Sequence, residues 1–527
     1  MFCTIRHFHL RFALSIFAVL LLLAPPSATA HEPKAGISEI EQLWQQANVQ
    51  QAELDDLKAQ IYAQHELLSR SSFAPLPLNS DKTELQRERE PAKDEPGFEV
   101  GSDLRENLRW DVVKGIVFET PNKDFISHFG FRMNLDLVRF QETNGLQQSA
   151  GFGPLEDGMF FRRIRPSWDG VVYDIVEFQA QIALEQTDFN VPNLNEMWAG
   201  LKEIPLFGTV RIGHMKIAQG FEAGQFSSDR LQTFLEKSSF SEALLQTFGT
   251  GVFVTNNAAD EHITWAAQAY KQDSLNNNIG ADFANGAFGY TGRLTVLPFY
   301  QDEGRHLLHL GVSGTYRVTQ PTSVGGPGVT DFRARPEMRD QIGTTPLGNS
   351  NRLVDTGVIR SDANSVIGSE LFYILGPASL QAEYNWATID DAVVNNVQRG
   401  NLPFQGGYVK LSYFLTGENR MYDRRFGRLG PNYSNGPYTP FWLVRDGNGD
   451  CCWGSGAWEI AARYSYLNLD DRAISGGKTE GYAYGLNWYL NPSLSIRTEY
   501  LHQNVFGGGP NPDGVVDGFG IRTQFFF

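Results

Sequence analysis

The sequence contains few of the features that define most other classes of large protein. Only three cysteines occur in 527 residues, and the two that follow residue 30 are adjacent, at Cys451 and Cys452. Neither a disulfide framework nor a C-x-x-C metal site can be built from such a pair. Two alternatives stay open for the state of this pair, a strained vicinal disulfide and two packed thiols. Beyond residue 30 no segment approaches the roughly 20 apolar residues that a membrane helix requires, which excludes a multispan helical protein.

Positive charge is also scarce. The 44 Lys and Arg residues are outnumbered by 60 Asp and Glu residues, and the formal net charge is −16. A nucleic-acid-binding protein needs a basic surface to contact phosphates, so no nucleic-acid partner is predicted. By contrast, aromatic residues reach 13% and glycines number 53, while the mean hydropathy is only −0.31. This composition is typical of a large β protein, including a membrane barrel whose strands alternate apolar and polar residues.

Residues 1–30 have the organisation of a secretory signal peptide. Arg6 and Arg11 precede the apolar segment Phe12–Ala24, and Ala28-Thr29-Ala30 provides a small-residue cleavage site. A membrane anchor is the alternative, but the apolar segment is short and the cleavage pattern follows it at once.

Residues 31–68 are predicted to form a coiled-coil helix in the periplasm. Apolar residues recur at alternating spacings of three and four, and Gln50 and Gln64 occupy two further core positions. We favour a parallel coiled coil, which implies an oligomer, over a single amphipathic helix lying on a domain. The proline-rich and charged residues 69–104 are expected to be a disordered or extended linker. The predicted coiled-coil core is Ile40, Leu43, Ala47, Leu54, Leu57, Ile61 and Leu68.

Beyond the linker the hydrophobic period changes to two, which predicts a β-barrel over residues 105–527. In Phe125 to Val138 the odd positions are mostly apolar and the even positions include His128, Arg132 and Asp136. Similar segments recur along the chain, and they are long enough to cross a bilayer at a tilt. Turn-rich stretches separate them, and the longest run from Gln320 to Ile359 and from Arg428 to Gly456. We expect an all-β transmembrane barrel with short turns on one side and long loops on the other.

The end of the sequence supports this fold. Phe519, Ile521, Phe525 and Phe527 share one face of a last predicted strand. We expect the terminal Phe527 to be the signal that the barrel-assembly machinery recognises, and we expect the barrel to lie in the outer membrane of a Gram-negative-type bacterium.

From about Gly115 onward the chain resembles the phosphate-selective porin O and P family. No single string is decisive, but their number and order are characteristic. The segments that carry the resemblance are Thr291–Pro298, Leu307–Gly311, Phe332–Glu337, Gly376–Tyr384, Tyr413–Glu418, Gly456–Glu459, Ala462–Leu467 and Gly485–Pro492.

This resemblance implies a trimeric porin of 16 antiparallel strands, with 18 as an alternative count. It also implies that loops fold into the lumen and that arginine and lysine residues there attract anions. The expected function is passive diffusion of small hydrophilic solutes or ions, with an anion or phosphate preference left open.

Strand parity identifies candidate pore-lining residues, because alternate residues of each strand face the wet side. In the strand Phe160 to Trp168, Arg163, Arg165 and Ser167 should face the lumen, and Phe160, Ile164 and Trp168 the lipid. The predicted wall is mixed in charge, which suits many small polar solutes. The inward cations are Arg132, Arg163, Arg165, Arg293, Lys410, Arg463 and Arg497, and the inward carboxylates are Glu177, Glu185, Glu370, Glu383 and Glu499.

The segment Phe226–Leu245 resembles the family's in-folding loop. Within it Arg230 and Lys237 are the best candidates for the narrow zone, and Lys216 just before it resembles a recurrent family lysine. Alternatively, Arg230 and Lys237 are exposed cations paired with Asp229 or Glu236, and Lys216 extends its ammonium group to the rim.

The distribution of charge argues against assuming strong phosphate selectivity. Of the 44 basic residues, two lie in residues 1–30, seven in 31–104 and 35 beyond; of the 60 acidic residues, 15 lie in 31–104 and 45 beyond. The barrel region is therefore acidic overall. Local lumen charge can still be positive, because loop carboxylates can lie farther away than a Debye length of about 8 Å.

No catalytic, metal or cofactor site is predicted. Gly476–Thr479 resembles the end of a phosphate-binding loop, but Arg472 replaces the earlier glycine. Asp446, Asn448 and Asp450 have calcium-loop spacing without the required glycine and glutamate. Two other functions are carried as alternatives: a structural tether that reaches the cell wall through the coiled coil, and a barrel enzyme. Expected partners are further copies of the chain, outer-membrane lipid and the assembly machinery.

Overall fold

The computed structural model describes most of the barrel region and leaves gaps between its segments. The described residues are 107–111, 115–149, 152–185, 193–223, 231–271, 287–321, 327–340, 351–434, 442–445, 451–507 and 511–527. The predicted signal peptide, coiled coil and linker lie outside them. Among the described residues, no helix has the length and apolar character needed to cross a membrane.

Sixteen strands of the described residues form one closed antiparallel barrel. Each strand pairs with the next, and the last pairs with the first along Val516–Phe526 and Arg132–Glu142, which closes the sheet. The predicted count of 16 is confirmed. The barrel strands are β3 (Phe125–Glu142), β4 (Gly158–Val172), β5 (Val176–Ala183), β6 (Asn193–Ile204), β7 (Gly208–Lys216), β8 (Phe248–Ala258), β9 (Ile263–Lys271), β10 (Phe288–Gln301), β11 (His306–Val318), β17 (Ala363–Leu375), β18 (Ala378–Val394), β19 (Val397–Phe414), β24 (Ala457–Asp471), β25 (Ile474–Tyr489), β26 (Leu494–Phe506) and β27 (Gly514–Phe526).

Shorter elements precede or connect these strands. They are β1 (Asn107–Asp111), β2 (Gly115–Glu119), α1 (Asn144–Gln147), α2 (Ser239–Leu244), a 3-10 turn (Asp302–Gly304), β12 (Gln320–Pro321), β13 (Gly328–Thr330), β14 (Arg333–Ala334), β15 (Val354–Asp355), β16 (Ile359–Arg360), β20 (Arg420–Asp423), β21 (Arg428–Ser434), β22 (Trp442–Arg445) and β23 (Cys451–Trp453). The former phosphate-loop candidate Gly476–Thr479 is part of strand β25.

Alternation sorts the side chains into an exposed apolar outer wall and a polar interior. On β3, Leu137 is exposed while Asn134 and Asp136 are buried. The parity prediction fails at one point in β4, where the pairing with β3 shifts by one residue next to Arg162. This β-bulge inserts an extra residue and reverses the faces that precede it. Phe160, predicted to face lipid, is therefore buried in the interior against Phe234.

The two ends of the barrel differ, but not as simply as predicted. Turns such as 173–175, 205–207 and 376–377 form a short-turn end, and the 319–362 connection belongs to the opposite, long-loop end. The connection between β19 and β24, residues 415–456, leaves the short-turn end. Long connections therefore leave both ends of the barrel, and the described residues 420–429 of this connection lie in the lumen, as described below.

The chain terminus is part of the short-turn end. The backbone N–H groups of Phe527 and Phe131 each donate to the other residue's carbonyl at 3.0 Å, and their rings lie 6.0 Å apart. Gly115 of β2 lies against this pair with φ of +77°, and a Cβ there would lie 2.8 Å from the Phe527 carbonyl carbon. Glycine is required because any side chain would clash while the backbone is left-handed. Recognition of Phe527 by the assembly machinery stays a prediction.

Candidate functional site: a lumen narrowed from both ends

The connection between β7 and β8 folds into the lumen. Its described parts, 217–223 and 231–247, are called the inner loop. Wall carboxylates accept hydrogen bonds from its backbone: Glu383 from the Phe221 N–H at 2.8 Å and Glu499 from the Leu235 N–H at 2.6 Å. Its carbonyls are satisfied in the same way by wall donors, because buried backbone groups need partners. The wall donors are Arg317, Arg463, Asn487 and Arg522, and Arg420 of β20 donates to the inner loop as well.

Glu236 is the charged centre of the inner loop. Arg162 contacts it at 2.9 Å, Arg163 at 3.3 Å and Arg522 at 3.1 Å. Burial alone would raise the pKa of Glu236, but the three guanidinium groups outweigh burial and hold the pKa well below its usual range. The carboxylate therefore stays ionised and fixes the loop to β4 and β27.

A second carboxylate joins the inner loop to the 319–362 connection. Glu242 of α2 pairs with Arg335 and Arg339 at 2.8 Å and with Arg352 at 3.0 Å. Burial would raise the pKa of Glu242, but Arg339, Arg335 and Arg352 together lower it far below the ordinary value. Burial lowers the pKa of Arg352 to about 10, and Glu242 opposes that effect. The two long connections are thus locked by three ion pairs on one carboxylate.

Replacing Glu242 by Gln should release this lock at any pH between 4 and 7. A depressed folded-state pKa gives stability that is present above the unfolded pKa, about 4.3, and is lost only as the pH falls through the lower folded pKa. Acidification to about pH 4 should therefore leave the wild-type lock intact, whereas Glu242→Gln should increase brief closures in single-channel recordings at both pH values. The exposed Glu156→Gln is the matched control; equal closure rates in the two variants would contradict the lock.

A hairpin enters the lumen from the short-turn end. It comprises β20 and β21 and is called the inner hairpin. Arg293 on β10 donates to the Gly427 carbonyl at 2.7 Å while pairing with Glu370 on β17 at 2.7 Å. Gly427 has φ of +59°, and a Cβ there would lie 2.5 Å from the Thr295 hydroxyl oxygen, so glycine alone fits this close approach. At its base, Arg420 pairs with the fully buried Glu459.

The tip of the inner hairpin is held by stacking on cations. The Phe426 ring lies 5.3 Å from the guanidinium of Arg211 and 4.6 Å from that of Arg428. Arg211 also lies 4.1 Å over Trp198 and pairs with Glu177 at 2.6 Å. Contacts of this kind contribute about 0.5–2 kcal/mol each. The hairpin is therefore attached to the wall on both β7 and β10.

In the described part of the lumen, two of the spaces between these segments and the wall bear on transport. The first is a cavity of about 20 Å³ between the inner loop, the inner hairpin and the wall, lined by apolar side chains and by Glu222, Gln232, Lys410 and Arg463. This volume accommodates about one water, which needs roughly 10–15 Å³ by the same measure. The second, of about 290 Å³, lies along β4–β8. Its charged lining residues are Asp169, Glu177, Glu196, Arg211, Lys216 and Arg428.

Many of the predicted pore-lining residues lie on the inner side of the wall, and several of them form ion pairs. Arg165 pairs with Glu185 at 2.5 Å, and Arg463 pairs with Glu337 at 2.8 Å and Glu222 at 3.5 Å. Lys410 differs, because within the described part of the chain no hydrogen bond or ion pair is made by its ammonium group. The predicted residues that are buried are Arg132, Arg163, Arg293, Lys410, Arg463, Arg497, Lys216, Glu185, Glu370, Glu383 and Glu499, and Arg165 and Glu177 are half-buried.

The cations predicted in or near the inner loop lie in different environments. Lys237 donates to the Thr247 hydroxyl at 3.4 Å, and the carboxylate of Glu236, its suggested partner, contacts Arg162, Arg163 and Arg522 instead. Lys216 lies buried inside, with its ammonium group 5.9 Å from the Phe248 ring. Arg230 and the calcium-loop candidates Asp446, Asn448 and Asp450 lie outside the described residues.

The residues that sequence reasoning missed are the anchors of the inner segments. Arg162 lies in the bulge, Arg420 and Arg428 lie on the connection between β19 and β24, and Glu242 lies on a short helix. Strand parity cannot identify them, because none occupies a regular barrel-strand position. The one available signal was the density of arginine in the segment 420–428, which contains Arg420, Arg424, Arg425 and Arg428.

A closed antiparallel barrel with an apolar outer wall and a charged lumen, narrowed by inward segments, is an outer-membrane porin. Residues 129–527 match the profile of the phosphate-selective porin O and P family, and the chain belongs to that family. Porin O of Pseudomonas aeruginosa is 25% identical over 448 residues, which cover 78% of this chain and 91% of that protein. An uncharacterized protein of Caulobacter vibrioides is 26% identical over 401 residues, covering 73% and 70%.

Solved structures with similar architecture include two outer-membrane channels. The channel DcaP of Acinetobacter baumannii has 12% identity and a TM-score of 0.44, covering 78% of this chain and 99% of that one. The anion-selective porin from Comamonas acidovorans has 10% identity and a TM-score of 0.43, covering 76% and 100%.

Proposed function

We propose that this porin passes small hydrophilic anions in preference to cations, with Lys410 as the residue that contributes most to the preference. The observation that carries the proposal is the contrast between Lys410 and its neighbours. Arg293, Arg420 and Arg463 are each neutralised by a carboxylate, whereas Lys410 lines the small cavity without a carboxylate partner among the described residues. Glu222 lines the same cavity but makes no ion pair with Lys410, and a cation without an ion-pair partner at a narrow, low-dielectric point attracts anions.

A larger space along β4–β8 gives solutes room in another part of the lumen. Arg211, Lys216 and Arg428 line it together with three carboxylates, so that its lining is mixed in charge. Such a lining tolerates many small polar solutes. We therefore propose a general anion preference rather than strict phosphate selectivity, in agreement with the acidic balance of the barrel region.

Charge reversal at Lys410 tests the preference. In a tenfold salt gradient, Lys410→Glu should move the reversal potential toward cation selectivity by about 20 mV of the ~59 mV that ideal selectivity allows for a monovalent ion. Lys123→Glu, which changes an exposed turn residue by the same charge, is the matched control and should leave the potential unchanged. Equal reversal potentials in wild type and Lys410→Glu, with conductance intact, would refute the proposal.

We further propose a homotrimer whose N-terminal arm, residues 31–104, lies in the periplasm. The heptad pattern and the signal-peptide pattern support this arrangement. Deleting residues 31–104 separates the porin function from the tether alternative. Unchanged ion permeability with an unchanged envelope favours a porin alone, whereas detachment of the envelope at unchanged permeability favours a tether.

A further inference from the structure

Two separate strands share one edge of β3 at the seam of the barrel. The last strand, β27, pairs with Arg132–Glu142, and β2 pairs with Ile126–Phe129. Both strands are antiparallel to β3, so β2 and β27 run in the same direction and lie end to end. The chain therefore ends where β2 begins, and β2 continues the line of β27 across this break.

The end of β27 and the start of β2 are in contact. The backbone of Phe527 pairs with Phe131, and β2 begins at Gly115, one residue before the partner of Phe129. A Cβ on Gly115 would lie 2.9 Å from the Phe527 ring, and a Cβ on Gly130 would lie 2.9 Å from the Phe527 carbonyl oxygen. Both distances are too short for a real Cβ, so no space for a further residue is left between the two strands.

Local contacts hold β2 on β3. The two strands are joined by the five residues 120–124, and the Thr120 N–H donates to the Phe125 carbonyl at 3.0 Å. Val117 is fully buried, and β1 pairs with β2 along its other edge. Contacts between residues that are close in sequence cost little loop-closure entropy, whereas β27 and β3 are separated by almost the whole barrel. We therefore expect β2 to be in place on β3 before the barrel closes.

A shift of β27 by two residues along β3 is an error that alternation does not prevent. Such a shift keeps every side chain on its own face, because the side-chain period of a strand is two. A shift toward β2 would bring Phe527 opposite Phe129, the position that Ile116 occupies. A shift away from β2 would break the two backbone hydrogen bonds of 3.0 Å between Phe527 and Phe131, and would leave a piece of strand edge unpaired.

We propose that β2 is a register stop, which fixes the position at which β27 closes the barrel. Steric contact at Gly115 blocks a shift toward β2. The backbone hydrogen bonds of Phe131 oppose a shift in the other direction. The hairpin of β1 and β2 thereby has a role in assembly that is separate from transport through the lumen.

Cysteine pairs on the outer wall report the register of the seam. Phe519 and Arg139 are direct partners, and Leu137 lies two residues from Arg139 on the same exposed face. Direct partners have Cα atoms about 4.5–5.5 Å apart, which permits a disulfide, whereas diagonal neighbours at about 7–8 Å are too distant. In a chain whose three native cysteines are replaced by serine, oxidation should crosslink Phe519→Cys to Arg139→Cys and not to Leu137→Cys.

Removal of the hairpin tests the register stop. Deleting residues 105–119 should reduce the crosslink to Arg139→Cys and produce the crosslink to Leu137→Cys, because β27 can then move along the vacated edge of β3. Deleting residues 31–104, which keeps β1 and β2, is the matched control and should preserve the full-length pattern. Native crosslinks alone after both deletions, in barrels that resist detergent without heating, overturn the inference.

A substitution tests the same contact without removing the hairpin. Gly115→Val places a side chain against Phe527 and should displace either β27 or β2. Part of the native crosslink should then be replaced by one to Leu137→Cys or Gln141→Cys. Gly400→Val is the control, because Gly400 has a similar φ of +73° but open space at its Cβ position, and it should give the native crosslink alone. A Gly115→Val barrel with only the native crosslink would contradict the register stop.

Discussion

Replacing residues 421–432 of the inner hairpin by two glycines should raise single-channel conductance several-fold. The hairpin lies inside the lumen between β7 and β10, where Arg293 and Arg211 hold it. A 16-stranded barrel without internal obstruction encloses an aqueous channel, so removing the hairpin should widen the part of the lumen that the inner loop does not occupy. The Arg293–Glu370 pair lies on the wall and should persist in the deletion.

A graded control separates obstruction from general damage. Phe426→Ala keeps the hairpin but removes its stacking on Arg211 and Arg428. This variant should increase current noise relative to wild type, with little change in mean conductance. The barrel should stay folded in both variants, as judged by its resistance to detergent without heating. A deletion that folds and conducts like wild type would show that the hairpin does not limit the channel.

Arg522→Met should be the most destabilising single substitution in the barrel. The Arg522 side chain is fully buried and pairs with both oxygens of Asp136 at 2.6 Å, with Glu236 at 3.1 Å as a second partner. Removing one partner of a buried ion pair costs about 3–5 kcal/mol because the other charge is left uncompensated. The measurement is the temperature at which the folded band is lost on gels.

A second substitution distinguishes this cause from loss of packing. Replacing both partners by apolar groups is often neutral or stabilising, so Arg522→Met with Asp136→Leu should recover most of the lost stability. Glu236 keeps Arg162 and Arg163 as partners in the double variant. A double variant that is less stable than Arg522→Met would contradict the ion-pair explanation.

The fold was predictable because its main determinant is a repeated local pattern. Alternation in segments such as Phe125 to Val138 identified β3 and its inward residues Arg132 and Asp136 correctly. It failed at Phe160, since a single bulged residue reverses the faces without a clear mark in the sequence. A mobile linker and a heptad helix before the barrel stay predictions.

The lumen was less predictable, because its chemistry depends on which charges meet. Parity placed Arg463 and Glu383 inward, but it could not show that Arg463 pairs with Glu337 or that Glu383 binds the inner-loop backbone. Their partners lie on connections far away in sequence. Counting inward charges therefore overestimates how many of them are available to a solute.

The ion pair between Arg522 and Asp136 also bears on how the barrel closes. These residues are direct partners across the β27–β3 seam, where the last barrel strand meets the first. A slip of one residue there would turn Arg522 toward lipid and leave Asp136 and Glu236 without it, because side chains alternate between faces. A barrel that closes in the wrong register is therefore less stable than one that closes in the native register. The ion pair thus selects the correct strand register at the seam.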